Sequence, residues 1–309
     1  VTKSRSSAVV VSDEVADALR DHRGVVALET TIVVQGLPAP INLEVARDCE
    51  DAVRKSGAVP ATVGLFNGRV VVGMTFEQLE ELASPDRASA KLSARDLGVA
   101  LAVGTDGATT VAGTLAAART VGVEVMATGG LGGVHRQASA TFDESADLTA
   151  LSRTSMVVVA SGVKSILDIG ATLERLDTLG VAVVGFGTRQ FPGFYLRDSG
   201  HELDWAVASA TEAAQAFVHH RSFSPSALLV ANPLPVERQL DPALHEAALA
   251  SSLAVAQREG VSGKAVTPVL LAEFARHTAG VSVQVNRDLV VANALLAGEI
   301  AVSLAELSS

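Results

Sequence analysis

Short apolar runs recur along this chain, each followed by a small-residue or polar turn and then by a helical stretch, and this recurrence most constrains the fold. The runs cover residues 25–28, 99–103, 123–127, 156–160, 181–186 and 227–230. Runs this short and this rich in Val and Ala read as strands buried on both faces. Helical stretches between them predict parallel strands joined by crossovers. Residues 61–66 and 69–72 flank Asn67-Gly68, a pair that tolerates positive φ, so a hairpin is expected there. The sheet is therefore expected to be mixed but largely parallel. Residues 13–20, capped by Ser12, and 43–55 read as helices. After Asn232-Pro233 only helical patterns remain, over 242–259, 267–278 and 286–307. The expected architecture is a three-layer α/β/α sandwich with a helix-rich C-terminal third, one domain over residues 1–309.

Composition narrows the function. Hydrophobic residues make up 48% of the 309 and aromatics only 4%, so Val, Ala and Leu must fill the core. A net charge of −10 argues against a nucleic-acid surface, which needs a basic patch. It leaves room for a small anionic ligand, which answers to a few local donors. Cys49 is the single cysteine, so no internal disulfide forms; its place in a helical pattern makes it a packing residue. The first residues carry no secretory signal, and no run approaches the roughly 20 apolar residues of a membrane span. A cytoplasmic location without a membrane partner is the expectation.

Ligands in open α/β sheets bind beyond the carboxyl ends of the strands, so the residues just past each run carry the interest. Glu29 comes directly after the first run and reads either as a general acid or as a cap or ion-pair partner. Lys91 and Arg95, before the run at 99–103, read as phosphate ligands or as a solvated charge run. Thr109 and Thr110 stand where a helix begins, a natural anion site or a plain N-cap. Residues 128–136 hold four glycines in five positions and end in His135-Arg136, which can reach an anion. Such a run implies close approach by a ligand, an unusual turn or a flexible loop. Asp143, Glu144 and Asp147 offer oxygen ligands for a hard cation, or an acid-rich helix start. Lys164 ends a buried run in a small-residue turn with a helix expected nearby. Partial burial and a helix N-terminus both favour the neutral amine of a lysine, its nucleophilic form. The alternative is an exposed surface lysine.

Together these segments resemble the pseudouridine-5′-phosphate glycosidase family, which is related to the indigoidine-synthase-A-like proteins. The resemblance rests on Ala27-Leu28-Glu29-Thr30-Thr31, residues 57–62, Asp106 to Val111, the glycine run at 128–136, residues 141–148 and Lys164-Ser165-Ile166-Leu167-Asp168. Residues 188–195, Ala231-Asn232-Pro233, Gly263-Lys264 and Thr267-Pro268 carry it further, from about residue 25 to the last helix. It implies reversible cleavage of the carbon–carbon glycosidic bond of pseudouridine 5′-phosphate to uracil and ribose 5-phosphate. It also implies a bound divalent metal, usually Mn2+, a three-layer fold and a homotrimer. By the same resemblance Lys164 is the nucleophile and Glu29 the proton donor. Lys91 and the backbone at Val111 hold phosphate, Asp143 holds the metal, and Ser145, Ala146 and Asp147 contact substrate. His135 and Asn286 complete the implied site. Two other readings use the same residues: a Schiff-base sugar-phosphate aldolase or isomerase, and a non-catalytic phospho-sugar binding protein.

Overall fold

The computed structural model describes residues 8–260 and 266–308. In chain order its strands are β1 (Val9–Val11), β2 (Val25–Leu28), β3 (Val59–Phe66), β4 (Arg69–Val72), β5 (Ala90–Leu92), β6 (Gly107–Thr109), β7 (Val125–Ala127), β8 (Val157–Ala160), β9 (Ala182–Phe186), β10 (Ala206–Val207) and β11 (Leu228–Ala231). The helices are α1 (Asp13–Arg20), α2 (Ile41–Lys55), α3 (Phe76–Ala83), α4 (Ala94–Val103), α5 (Val111–Arg119), α6 (Ala138–Thr141), α7 (Ala146–Arg153), α8 (Ile169–Thr178), α9 (Ala210–His220), α10 (Pro242–Glu259), α11 (Val266–His277) and α12 (Val281–Ser308).

All strands join one sheet in the order β1-β4-β3-β2-β7-β8-β11-β9-β10, with β6 bonded to β3 and β5. From β3 through β2, β7, β8, β11 and β9 to β10 every pairing is parallel. Strand β3 runs antiparallel to β4 and β6. The predicted hairpin forms, with Asn67 and Gly68 at φ 50° and 70°. Successive strand residues face opposite layers. Val26, Val125, Val157 and Val230 pack under α2, α9 and α12, while Ala27, Met126, Val158 and Leu229 pack under α1, α5, α7 and α8. This is the expected three-layer sandwich around a mixed, largely parallel sheet.

Two expectations fail. Residues 99–103 are not a strand but the second half of α4. Asp96 accepts from the Ser93 amide at 2.9 Å, and Gly104 closes the C-terminus at φ 70°. A helix closed at both ends outweighs a five-residue apolar run, and the strand comes four residues later, as β6. The second failure concerns membrane-spanning length. Helix α12, 28 residues long, has a stretch with mean hydropathy 1.6 and is long and apolar enough to cross a bilayer. It lies instead against α2, α9, β2, β7 and β8, because those elements supply the apolar surface it needs. Strands β1 and β10, and helix α3, have no counterpart among the sequence-based expectations.

Candidate active site

Strands β7 and β8 are short, but their ladder continues beyond them. The Thr128 amide donates to Val159 O at 3.0 Å, Ser161 to Gly129 O at 2.9 Å, Leu131 to Gly162 O at 3.0 Å and Lys164 to Leu131 O at 3.0 Å. Residues 128–131 and 161–164 are thus held as one rigid extension at the sheet's carboxyl edge. Lys164 Nζ donates to Gly130 O at 2.7 Å, which fixes the amine over that extension. Thr128 hydroxyl donates to Glu29 Oε1 and Thr31 hydroxyl to Glu29 Oε2, so the buried carboxylate is held on both oxygens. Thr128 and Gly130 share one loop and hold the acid and the amine respectively. Helix α8 starts at Ile169, where Asp168 Oδ1 caps it, so Lys164 sits in a turn ahead of that helix.

The glycine run packs closely against protein on one side while Gly129, Gly130 and Gly132 line the cavity on the other. A Cβ on Gly130 would stand 2.5 Å from Phe194 Cδ2, and one on Gly132 2.8 Å from Asp147 Oδ2. Asp147 accepts from Gly132 N at 2.9 Å and from Ala112 N at 3.0 Å. Its carboxylate therefore ties the loop to the first turn of α5 and is spent on backbone groups. Ser145 caps α7 by accepting from Asp147 N at 3.2 Å, and Thr110 caps α5 by accepting from Gly113 N at 3.3 Å. The amide of Val111, first in α5, meets no protein acceptor among the described residues. Such a group at a helix N-terminus is a ready anion donor.

One cavity of about 860 Å³ collects these groups. Glu29, Lys91, Thr110, Val111, His135, Asp143, Ser145, Ala146, Asp147, Lys164 and Asn286 all line it. Asn286 Oδ1 is buried there without a hydrogen-bond partner among the described residues. His135 Nε2 stands 3.9 Å from Asp143 Oδ2. Burial lowers the His135 pKa from its ordinary value; Asp143 opposes that and Lys91 adds to it, which places these three groups in one electrostatic neighbourhood. Among the described residues no cluster of three His, Cys, Asp or Glu side chains forms a metal cage. Asp143 lines the cavity with its carboxylate partly exposed, an oxygen donor of the kind a hard cation takes.

Some expected residues lie elsewhere. Thr109 is fully buried, donates to Val63 O at 2.7 Å and does not line the cavity. A residue ending a buried strand points into the sheet's packing, and its neighbour Thr110 takes the open position. Arg136 does not line the cavity either: it donates to Ser165 O at 3.2 Å and Ile166 O at 3.3 Å, bracing the Lys164 turn from behind. Gly263 and Lys264 lie outside the described residues; Pro268 lines the cavity. Sequence reasoning misses Thr128 and Gly130 as individual holders of Glu29 and Lys164. Thr128 opens the glycine run and is the one legible clue.

Known proteins match nearly the whole chain. Residues 14–303 match the family model described as indigoidine synthase A like protein. The pseudouridine-5′-phosphate glycosidase of Salinispora tropica is 58% identical over 94% of this chain and 90% of its own length. That of Saccharopolyspora erythraea is 53% identical over 96% and 98%. The crystal structure of the prealnumycin C-glycosynthase AlnA in complex with ribulose 5-phosphate superposes with a TM-score of 0.90. It is 39% identical, covering 98% of this chain and 99% of that one. An indigoidine synthase A-like protein from Thermotoga maritima gives 0.87 at 34% identity, covering 99% and 100%. This chain belongs to the indigoidine synthase A-like family.

Proposed function

We propose that this protein is a C-glycosidase that reversibly cleaves pseudouridine 5′-phosphate to uracil and ribose 5-phosphate through a covalent bond to Lys164. The observation that carries the reading is the presence of Lys164, held by Gly130 O, and buried Glu29 in one cavity that Lys91 and Val111 also line. Relatives that match nearly end to end and bear the glycosidase name support the substrate.

Carbon makes a poor leaving group, so a two-carboxylate hydrolysis is badly matched to this bond. An amine opens another route. Glu29 gives a proton to the ribose ring oxygen as the C1′–O4′ bond breaks, with electrons supplied by the uracil ring. The Lys164 lone pair forms a bond to C1′, and the amine's proton passes to the Glu29 carboxylate left by the first step. When Glu29 gives that proton to C5 of uracil, the nitrogen lone pair makes an iminium, the electrons of the broken C1′–C5 bond return to the uracil ring, and uracil leaves. Water adds to the iminium and frees ribose 5-phosphate, returning the amine. Lys91, Val111 N–H and the α7 N-terminus grip the phosphate end and fix C1′ against Nζ, so remote binding energy serves orientation. Asp143 would hold a divalent cation such as Mn2+, which supplies positive charge beside the phosphate. Ser145, Ala146 and Asp147 shape that end, and Asn286, with its unpaired oxygen, faces the base or sugar.

Purified protein with pseudouridine 5′-phosphate and Mn2+ is expected to release uracil, followed by absorbance and product analysis. Borohydride in the presence of ribose 5-phosphate is expected to add a reduced sugar phosphate to Lys164, and Lys164→Ala to lose turnover by several orders of magnitude, within the range seen for lost nucleophiles. Full activity in Lys164→Ala would end the proposal. The AlnA complex favours one other reading: C–C chemistry on a pentose phosphate with an acceptor other than uracil. Lysine trapping without uracil release would select it. Ligand binding with neither trapping nor turnover would indicate a non-catalytic phospho-sugar binder.

The same reading extends to assembly as a homotrimer. Val99 and Val103, 65% and 68% exposed, form an apolar stripe on α4, whose first residues also line the cavity.

A further inference from the structure

Asn293 lies in the middle of α12 and is fully buried, with mostly apolar residues of the helix packed around it. A buried amide is costly unless its donors and acceptors are all used. Here they are. Nδ2 donates to Thr128 O at 2.8 Å, beyond the end of β7. The Ser161 hydroxyl, just past β8, lies 3.1 Å from Nδ2 and 3.3 Å from Oδ1. Oδ1 also accepts from Asn232 Nδ2 at 2.9 Å, just past β11. One side chain therefore joins the carboxyl ends of three neighbouring strands from beneath.

Two of those ends, past β7 and β8, hold or carry the reacting groups. Thr128 holds Glu29 through its hydroxyl while its carbonyl is held by Asn293. Gly130, two residues on, holds Lys164 Nζ. Ser161 opens the turn that carries Lys164, and Gly162 O receives the Leu131 amide. We infer that Asn293 is a positioning residue for this reaction: it sets the separation of Glu29 and Lys164 without touching substrate. This rests on the C-glycosidase reading and deepens it. A mere packing role would let an apolar residue of the same size serve as well. A positioning role makes the amide itself necessary, because Leu cannot bond three strand ends and Asp cannot donate to Thr128 O.

The test compares Asn293→Leu and Asn293→Asp with Leu296→Ala, a core change on the same helix away from the site. Asn293→Leu is expected to lower kcat by about 10²-fold with KM within about twofold, the scale of an ångström-sized misplacement. Leu296→Ala is expected to lower Tm while kcat stays close to wild type. Amide hydrogen exchange at Gly129–Gly132 and Gly162–Lys164 is expected to quicken in both Asn293 variants and not in Leu296→Ala. The inference is overturned if kcat in the Asn293 variants matches Leu296→Ala, or if exchange at those amides is unchanged. Where Asn293→Leu does not fold, Ser161→Ala carries the same kcat and exchange measurements. The exchange arm needs no turnover, so it reads this inference even if the wild type releases no uracil, an outcome that would count against the proposed reaction alone.

Discussion

Burial decides the charge of His245. Its ring packs against Phe274 at 5.4 Å between centroids, and its Nε2 is buried with no hydrogen-bond partner among the described residues. Burial pushes its pKa below the ordinary value of 6.5, Arg136 pushes the same way, and Glu246 opposes them. The folded state thus binds a proton less readily than the unfolded state. Its stabilising effect is full above pH 6.5, where both states are neutral, and is lost as the pH falls below it. Tm measured from pH 8 down to about pH 5 is expected to fall, and to fall less steeply in His245→Gln; identical slopes would contradict this. Arg136 gives the site a stake in the same balance, since it braces the carbonyls of Ser165 and Ile166 behind Lys164.

Helices α2 and α12 meet at Gly298, where a Cβ would stand 2.9 Å from Ser56 Cβ and closer still to its hydroxyl. In isolation alanine would favour a helix over glycine by about 1 kcal/mol. Here the clash governs, and Gly298→Ala is expected to cost about 1–3 kcal/mol by pushing the helices apart. Ser56→Gly combined with Gly298→Ala should recover most of the loss, and a double-mutant cycle in Tm checks the coupling. At this scale much is legible in the sequence. The strands at 25–28, 156–160 and 227–230 announce themselves because each is buried on both faces, and the hairpin because Asn67-Gly68 fits few other turns. Residues 99–103 mislead because an exposed helix face bearing Val99 and Val103 has the composition of a strand. Glu29 and Lys164 stand out at strand ends, Lys91 and Asp143 are legible as candidate phosphate and cation ligands, and only the family resemblance brings in Asn286. Thr109 and Thr110 are adjacent and chemically equal, and only the direction in which β6 ends separates the buried one from the one facing the cavity. Asn293 is silent because its partners, Thr128, Ser161 and Asn232, are between 61 and 165 residues away in the chain.

Across the whole molecule, the site occupies one edge of the sheet and the exposed stripe on α4 adjoins it. If three copies meet there, Val99→Asp with Val103→Asp should yield a smaller species in light scattering after size-exclusion chromatography. An unchanged mass would place the interface elsewhere. The three-way bond at Asn293 also has a meaning in time. Its link to Ser161 closes a span of 132 residues. At about 5–20 residues per second, a growing chain exposes the Ser161 turn roughly 7–26 s before Asn293 is made. Through that interval the loop bearing Lys164 lacks the amide that sets its spacing from Glu29. On the proposed reaction, the lysine is aimed only when the last long helix docks, so the nascent chain carries this amine without its partner in position.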